Sequence, residues 1–260
     1  PDIFEDVHRT KIRVVGIGGG GGNIVAEIAS RVQKFDFIGA NTDTQALQGL
    51  PRKVKSFAFG KEFTHGLGCG MEPQLGEQAA RAEKEKIKKF LEGQDICIVI
   101  ACLGGGTGSG AAPVFAEISQ DLRNITFGIF TMPFSFEGDK RKQLAEQALQ
   151  KLQPFVNAYV VIPNDKIFGV VDKKTPLKES FSQVNKRLAD TLEGFMTTLS
   201  SPGLINIDFA DVRSVLEGRG RLAYINSAIA AGPGRGQEAV KSVLAHPLYD
   251  YGIEGADRLF

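Results

Sequence analysis

No run of about 18 apolar residues occurs in this sequence, so no segment is expected to cross a bilayer as a helix. No secretory leader is visible at its start. Cysteine is scarce. Cys69, Cys97 and Cys102 are an odd count without framework spacing, which argues for reduced thiols and a cytosolic setting. Histidine is equally scarce, and His8, His65 and His246 lie too far apart in sequence for a zinc site, so no metal ligand is assigned. The chain also lacks a charge of one sign. Its 31 basic and 30 acidic residues leave a net +1, which gives no electrostatic footprint for DNA, RNA or an anionic membrane surface.

Glycine is what the chain has in excess, 31 of 260 residues, about 12% against a usual ~7%. The glycines cluster, marking tight turns and not a flexible tract. An apolar fraction of 42% is ample for a core, and the length suits one large α/β domain with part of a second. Apolar runs and helical periodicities alternate. Strands are expected over 12–17, 37–40, 54–59, 95–101, 125–131 and 159–162, and helices over 23–32, 74–91, 111–122 and 140–152. Strict alternation of this kind predicts right-handed βαβ units and a parallel sheet, a Rossmann-like α/β fold. A long helix is expected over 177–199, with apolar residues every third or fourth position from Leu177 to Phe195. A short helix to about 216, a strand over 221–231 and a helix over 237–245 follow. This gives a nucleotide-binding domain over 1–176, a central helix over 177–202, and a catalytic loop with part of a second α/β domain over 203–260.

Two glycine tracts carry the chemistry. The first, at 16–23, joins the first strand to the first helix, where bare N–H groups and the positive helix end can hold anionic oxygens. Gly16, Gly18 and Gly21 fit the dinucleotide pattern G-x-G-x-x-G. A dinucleotide enzyme would, however, need an acid closing the second strand, whereas Asp36 opens it. The second tract, GGGTGSG at 104–110, also follows an apolar strand. It is not a phosphate loop of the lysine-bearing kind, because no Lys-Ser/Thr follows the glycines. It is not a nucleophile elbow, because Thr107 stands where G-x-S-x-G needs glycine. Backbone amides, Thr107 and Ser109 are left to hold the anion.

GGGTGSG after an apolar strand resembles the signature of the tubulin and FtsZ superfamily. Further motifs agree with its FtsZ branch in order: GGGGGN at 18–23, NTD at 41–43, GLGCG at 66–70, PFSFEG at 133–138, IPND at 162–165 and PGLINIDFADV at 202–212. The resemblance implies a GTP-binding, GTP-hydrolysing protein of the division ring that assembles head to tail. Gly19, Gly20, Gly21, Gly22, Gly104, Gly105, Gly106, Thr107 and Gly108 would surround the phosphates, with Gly68 and Gly70 near the γ-phosphate and Asn41 beside them. Glu137 would hold the ribose hydroxyls, with Arg141 beside the nucleotide. Asn23 and Asn185 would face the guanine edge, and Phe181 would stack on the base. Mg²⁺ would be held mainly through the phosphates. Membrane anchors would bind a C-terminal tail that this sequence does not include, and no direct membrane insertion is implied. The family's second domain would be largely missing.

Asn206, Asp208 and Asp211 are the catalytic candidates. From spacing alone, Asp208 and Asp211 equally suit acids at a helix N-terminus. The resemblance instead has this loop polarise water at the nucleotide of the next subunit. Two departures stand out. Lys186 follows Asn185 where the family usually carries an acid for the guanine N1 and N2 hydrogens, and lysine has no acceptor. Glu72 follows the third loop, where its charge would repel a γ-phosphate.

Overall fold

A computed structural model describes residues 10–32, 35–172, 174–200 and 209–259, apart from the side chains of residues 196–200. The elements run β1 (Ile12–Ile17), α1 (Gly18–Arg31), β2 (Asp36–Asn41), α2 (Thr44–Gln48), β3 (Val54–Ala58), α3 (Lys61–Thr64), α4 (Pro73–Ala82) and α5 (Lys84–Leu91). Then come β4 (Ile96–Cys102), α6 (Gly106–Asp121), β5 (Ile125–Met132), α7 (Asp139–Leu152), β6 (Ala158–Pro163), α8 (Leu177–Ser200), α9 (Phe209–Leu216), β7 (Arg221–Leu222) and α10 (Arg235–Leu244). All sheet pairings are parallel, in the order β3-β2-β1-β4-β5-β6-β7. The expected α/β class and parallel sheet are therefore observed.

Each central strand is buried on both faces, which is why its sequence reads as unbroken apolar residues. Period-two geometry divides them. Ile96, Ile98 and Ile100 of β4 join the core under α1 and α8, with Val14, Val184, Leu188 and Leu192. Cys97, Val99 and Ala101 join the core under α4, α5, α6 and α7, with Val15, Ile17, Phe115 and Leu152. Burial raises the Cys97 thiol pKa to about 11, so that cysteine is a neutral packing residue.

Four expectations are corrected. The glycine tracts were placed ahead of their helices, but α1 begins at Gly18 and α6 at Gly106. Glycine is a poor helix former, and close packing overrides that preference. A Cβ on Gly21 would sit 2.6 Å from the Ile100 carbonyl oxygen, and one on Gly110 would sit 1.9 Å from that of Pro73. Pro113, which the helix expected over 111–122 puts in the first turn, consequently lies inside α6. The single helix expected over 74–91 is two, because Glu83 leaves the helical conformation with φ −105° and ψ 18°. The strand expected over 221–231 pairs only at Arg221 and Leu222. The end expected at 202 for the central helix lies outside the described residues.

Candidate functional site

The strand order reverses between β1 and β4, so their carboxyl ends open onto a crevice, the usual ligand position in an open parallel sheet. Both glycine tracts lie there. They touch: a Cβ on Gly18 would be 3.1 Å from the Gly108 nitrogen. Gly18 (φ +76°) and Gly104 (φ +101°) hold the left-handed backbone that feeds each helix. Neither helix has a side-chain cap at its N-terminus. Two sets of orphan N–H groups and two positive dipole ends therefore share one edge of the sheet.

The glycines divide into two kinds. Gly19, Gly70 and Gly105 have no heavy atom within 4 Å of an added Cβ, so they border open space. Gly22 meets only Leu50, at 3.8 Å. Gly20 and Gly21 are held against Cys102 and Ile100, and Gly106 and Gly108 against Cys69 and Cys102, at 2.4–2.6 Å from the added Cβ. A Cβ on Gly104 would lie 3.0 Å from the Arg141 carbonyl oxygen. Burial raises the Cys102 thiol pKa, so this group beneath Gly20 adds no charge to the crevice.

Thr107 and Ser109 brace the second tract. Ser109 is buried, and its hydroxyl accepts from the Gly104 N–H at 2.8 Å. The Thr107 hydroxyl pairs with that of Thr42 at 2.7 Å, and Thr42 reaches the Cys69 thiol at 3.4 Å. Thr42, which sequence reasoning left without a role inside the NTD motif, thus ties three loops together. Asn41 is buried and accepts from the Asp43 N–H at 3.2 Å, while Asp43 caps α2 through Gln45 and Ala46. The third loop turns through Gly68 (φ +85°) and Gly70 (φ +53°), and the Gly70 carbonyl accepts from the Gly106 N–H at 2.8 Å. Glu72 is exposed, at the N-terminus of α4.

Beyond the second tract, Glu137 accepts from the Phe134 N–H at 2.8 Å with one oxygen and pairs with Arg141 through the other. Asp165, unassigned from sequence, accepts from the Ser135 N–H at 3.1 and 3.2 Å and fixes this turn. The Phe181 ring meets Phe134 edge-on at 5.7 Å, and Phe134 stacks on the exposed Phe136 at 4.8 Å. Helix α8 docks on α1, where the Ser182 hydroxyl donates to Glu27 at 3.1 Å. Asn23 is exposed and Asn185 half-buried, and neither side chain makes a hydrogen bond within the described residues. Lys186 beside them is exposed.

Asn206 and Asp208 lie outside the described residues. Asp211 is exposed in the first turn of α9, beyond the C-terminal end of α8. Phe181 and Asn185 mark the other end of that helix, and 24 residues at ~1.5 Å each span about 36 Å.

Residues 11–172 match the family model described as Tubulin/FtsZ family, GTPase domain. The chain is 40% identical over 244 residues to the cell division protein FtsZ of Coxiella burnetii, covering 94% of this chain and 63% of that protein. It is 38% identical over 258 residues to the FtsZ of Pseudomonas aeruginosa, covering 98% of this chain and 65% of that protein. The chain thus spans just under two thirds of the length of these relatives. Among solved structures it superposes on the empty FtsZ dimer of M. jannaschii with a TM-score of 0.82 and 37% identity, covering 93% of this chain and 70% of that one.

Proposed function

The chain belongs to the tubulin/FtsZ GTPase family, and within it to FtsZ, and from that premise we propose that it binds and hydrolyses GTP and assembles head to tail at the division ring in the cytoplasm. The observation that carries the nucleotide reading is the contact of two uncapped, glycine-lined helix N-termini at the switch point of the sheet. Gly19, Gly70 and Gly105 border open space there, and their backbone N–H groups suit phosphate oxygens. Each oxygen of Glu137 keeps a second lone pair beyond its existing bond, enough to accept ribose hydroxyls. Asn23 and Asn185 offer free amide groups to a purine edge. Phe181 lends its ring between that edge and the Glu137 turn.

Among the described residues no three His, Cys, Asp or Glu side chains cluster as a protein-made metal cage would require. A Mg²⁺ ion would be carried mainly by the nucleotide phosphates and would supply charge neutralisation there.

A carboxylate presented past the far end of α8, a helix about 36 Å long, is remote from a nucleotide held near that helix's start. It can orient water for the nucleotide of the next copy, with Asn206 and Asp208 alongside it. The solved relative named an FtsZ dimer supports self-association, and a head-to-tail contact that places one copy's loop on the next copy's site propagates into a filament. No helix among the described residues is long and apolar enough to cross a membrane.

The test is the GTP turnover rate per molecule as a function of protein concentration. It is expected to rise steeply on assembly, and a constant rate on dilution would refute a shared site. The exposed Lys186 and Glu72 favour one alternative, a nucleotide-dependent scaffold with little hydrolysis. Phosphate release well above a protein-free blank would exclude it.

A further inference from the structure

Where β7 leaves the sheet, a side chain completes the ladder. The Ala223 N–H donates to the Tyr159 carbonyl at 2.7 Å. In a parallel pair the next bond would run from the Val161 N–H to the Ala223 carbonyl. Instead, the Val161 N–H donates to the Tyr251 hydroxyl at 3.3 Å, and that hydroxyl donates to the Ala223 carbonyl at 3.0 Å. A hydroxyl has one donor and two acceptor sites, so it can span both strands at once. The ring is held for this task. It stacks on Tyr249 at 5.1 Å, and Tyr249 stacks on His246 at 4.1 Å. The preceding residue, Asp250, pairs with Lys166 at 2.5 Å.

Both contacts act on one stretch of chain. β6 leads from Val161 through Pro163 into the turn Asn164–Gly169, which carries Lys166. Asp165 in that turn holds the Ser135 N–H and hydroxyl. Ser135 follows Phe134, whose N–H is held by Glu137. A continuous set of bonded groups thus joins the segment around residue 251 to the carboxylate on the ribose side of the crevice. The Asp250–Lys166 pair is exposed on both sides, at 58% and 39%, so it directs the turn and adds little stability. The partly buried hydroxyl carries the link.

We propose that Tyr251 is a positioning residue for the nucleotide site: its hydroxyl, inserted between β6 and β7 and seconded by Asp250, sets the 164–169 turn and through Asp165 the Glu137 loop, so that the C-terminal segment controls nucleotide affinity. This rests on the reading of Glu137 and Arg141 as nucleotide-flanking groups.

The test compares Tyr251→Phe with Tyr249→Phe in the full chain. The first removes only the bridging hydroxyl. The second removes a hydroxyl that donates to the Ile225 carbonyl at 3.1 Å in the same segment without touching β6. Tyr251→Phe is expected to speed amide exchange at Ser135 in the nucleotide-free protein and to weaken GTP binding by about 3- to 10-fold, the loss of one buried hydrogen bond. Tyr249→Phe is expected to lower thermal stability alone. Equal changes in Ser135 exchange and GTP affinity for the two variants would overturn the coupling. Should Tyr251→Phe fail to fold, native-state amide exchange of the wild-type chain serves: Val161 and Ser135 opening together as urea is raised supports the link, and Ser135 opening independently of Val161 overturns it. A wild-type chain that binds no GTP would sink the nucleotide reading by itself, while the exchange comparison would still decide the coupling.

Discussion

Replacing single glycines by alanine separates holding a ligand from packing a helix. At Gly105 the backbone is extended (φ −104°, ψ 175°), and an added Cβ has no heavy atom within 4 Å. Alanine there strains nothing in the free protein. By restricting the unfolded chain it is expected to leave stability unchanged or raise it by about 0.4–1 kcal/mol. The methyl group would project into the open crevice at the N-terminus of α6, where it would displace a phosphate oxygen from its N–H donors. Losing one charge-assisted hydrogen bond at ~1.5–3 kcal/mol weakens GTP binding by roughly 10- to 150-fold. At Gly110 the outcome inverts. A Cβ would lie 1.9 Å from the Pro73 oxygen and 2.8 Å from the Glu77 nitrogen, both backbone atoms of α4, so the whole helix must move. Overpacking of that kind costs about 1–3 kcal/mol, and at ~2–4 °C per kcal/mol for a chain of this size Tm falls by roughly 3–10 °C. Thermal unfolding without nucleotide, followed by GTP titration of each folded variant, reads both effects. A Gly105→Ala protein that binds GTP as tightly as wild type would refute the placing of phosphate in that space, and a Gly110→Ala protein of unchanged Tm would refute the packing account.

Glu137→Gln keeps the acceptor for the Phe134 N–H but removes the charge facing Arg141; GTP affinity should fall about 3- to 10-fold with Tm nearly constant, measured by titration and thermal unfolding. Lys186→Asp supplies the acceptor that lysine lacks and is expected to raise the preference for GTP over ATP on the order of tenfold, read by competition binding. Asp211→Ala should reduce phosphate release by about 100-fold or more while leaving the GTP dissociation constant unchanged; parallel loss of binding would show that Asp211 acts within its own chain. His246 is 9% exposed, and burial, helped by the nearby Arg187 charge, lowers its pKa from 6.5 to about 4. The unfolded chain therefore takes up a proton that the folded one excludes. The resulting stability is full above pH 6.5 and lost as the pH falls towards 4. His246→Gln should flatten urea-unfolding stability between those values.

The strands were legible because burial on both faces leaves an unmistakable mark: DICIVIA at 95–101 can only be central. Helix starts were less so. Gly18–Gly22 and Gly106–Gly110 have the lowest helix propensity short of proline, yet they form the first turns of α1 and α6. What makes them helical is the backbone of β4 and α4 pressed against them, and that is absent from the local sequence. The break at Glu83 is equally silent, since Ala82, Glu83 and Lys84 are all good helix formers. The early end of β7 was hidden because the group that takes the next ladder bond, Tyr251, lies 28 residues downstream of Ala223.

The candidate site shows a different limit. The order of its loops could be read from motifs, but glycine is one letter with two physical uses. At Gly19, Gly70 and Gly105 the missing Cβ leaves room for a ligand, whereas at Gly20, Gly21, Gly106, Gly108 and Gly110 it leaves room for the protein itself. A run such as GGGTGSG mixes both, so the run signals a crowded helix start as strongly as a phosphate. The same ambiguity covers Thr107 and Ser109, whose hydroxyls also tie the loop to Thr42 and Gly104. In the proposed reading, phosphate contacts include backbone N–H groups at the few uncrowded positions. Substitutions that fill those positions should then act on binding while sparing the fold, and those at the crowded positions should do the reverse.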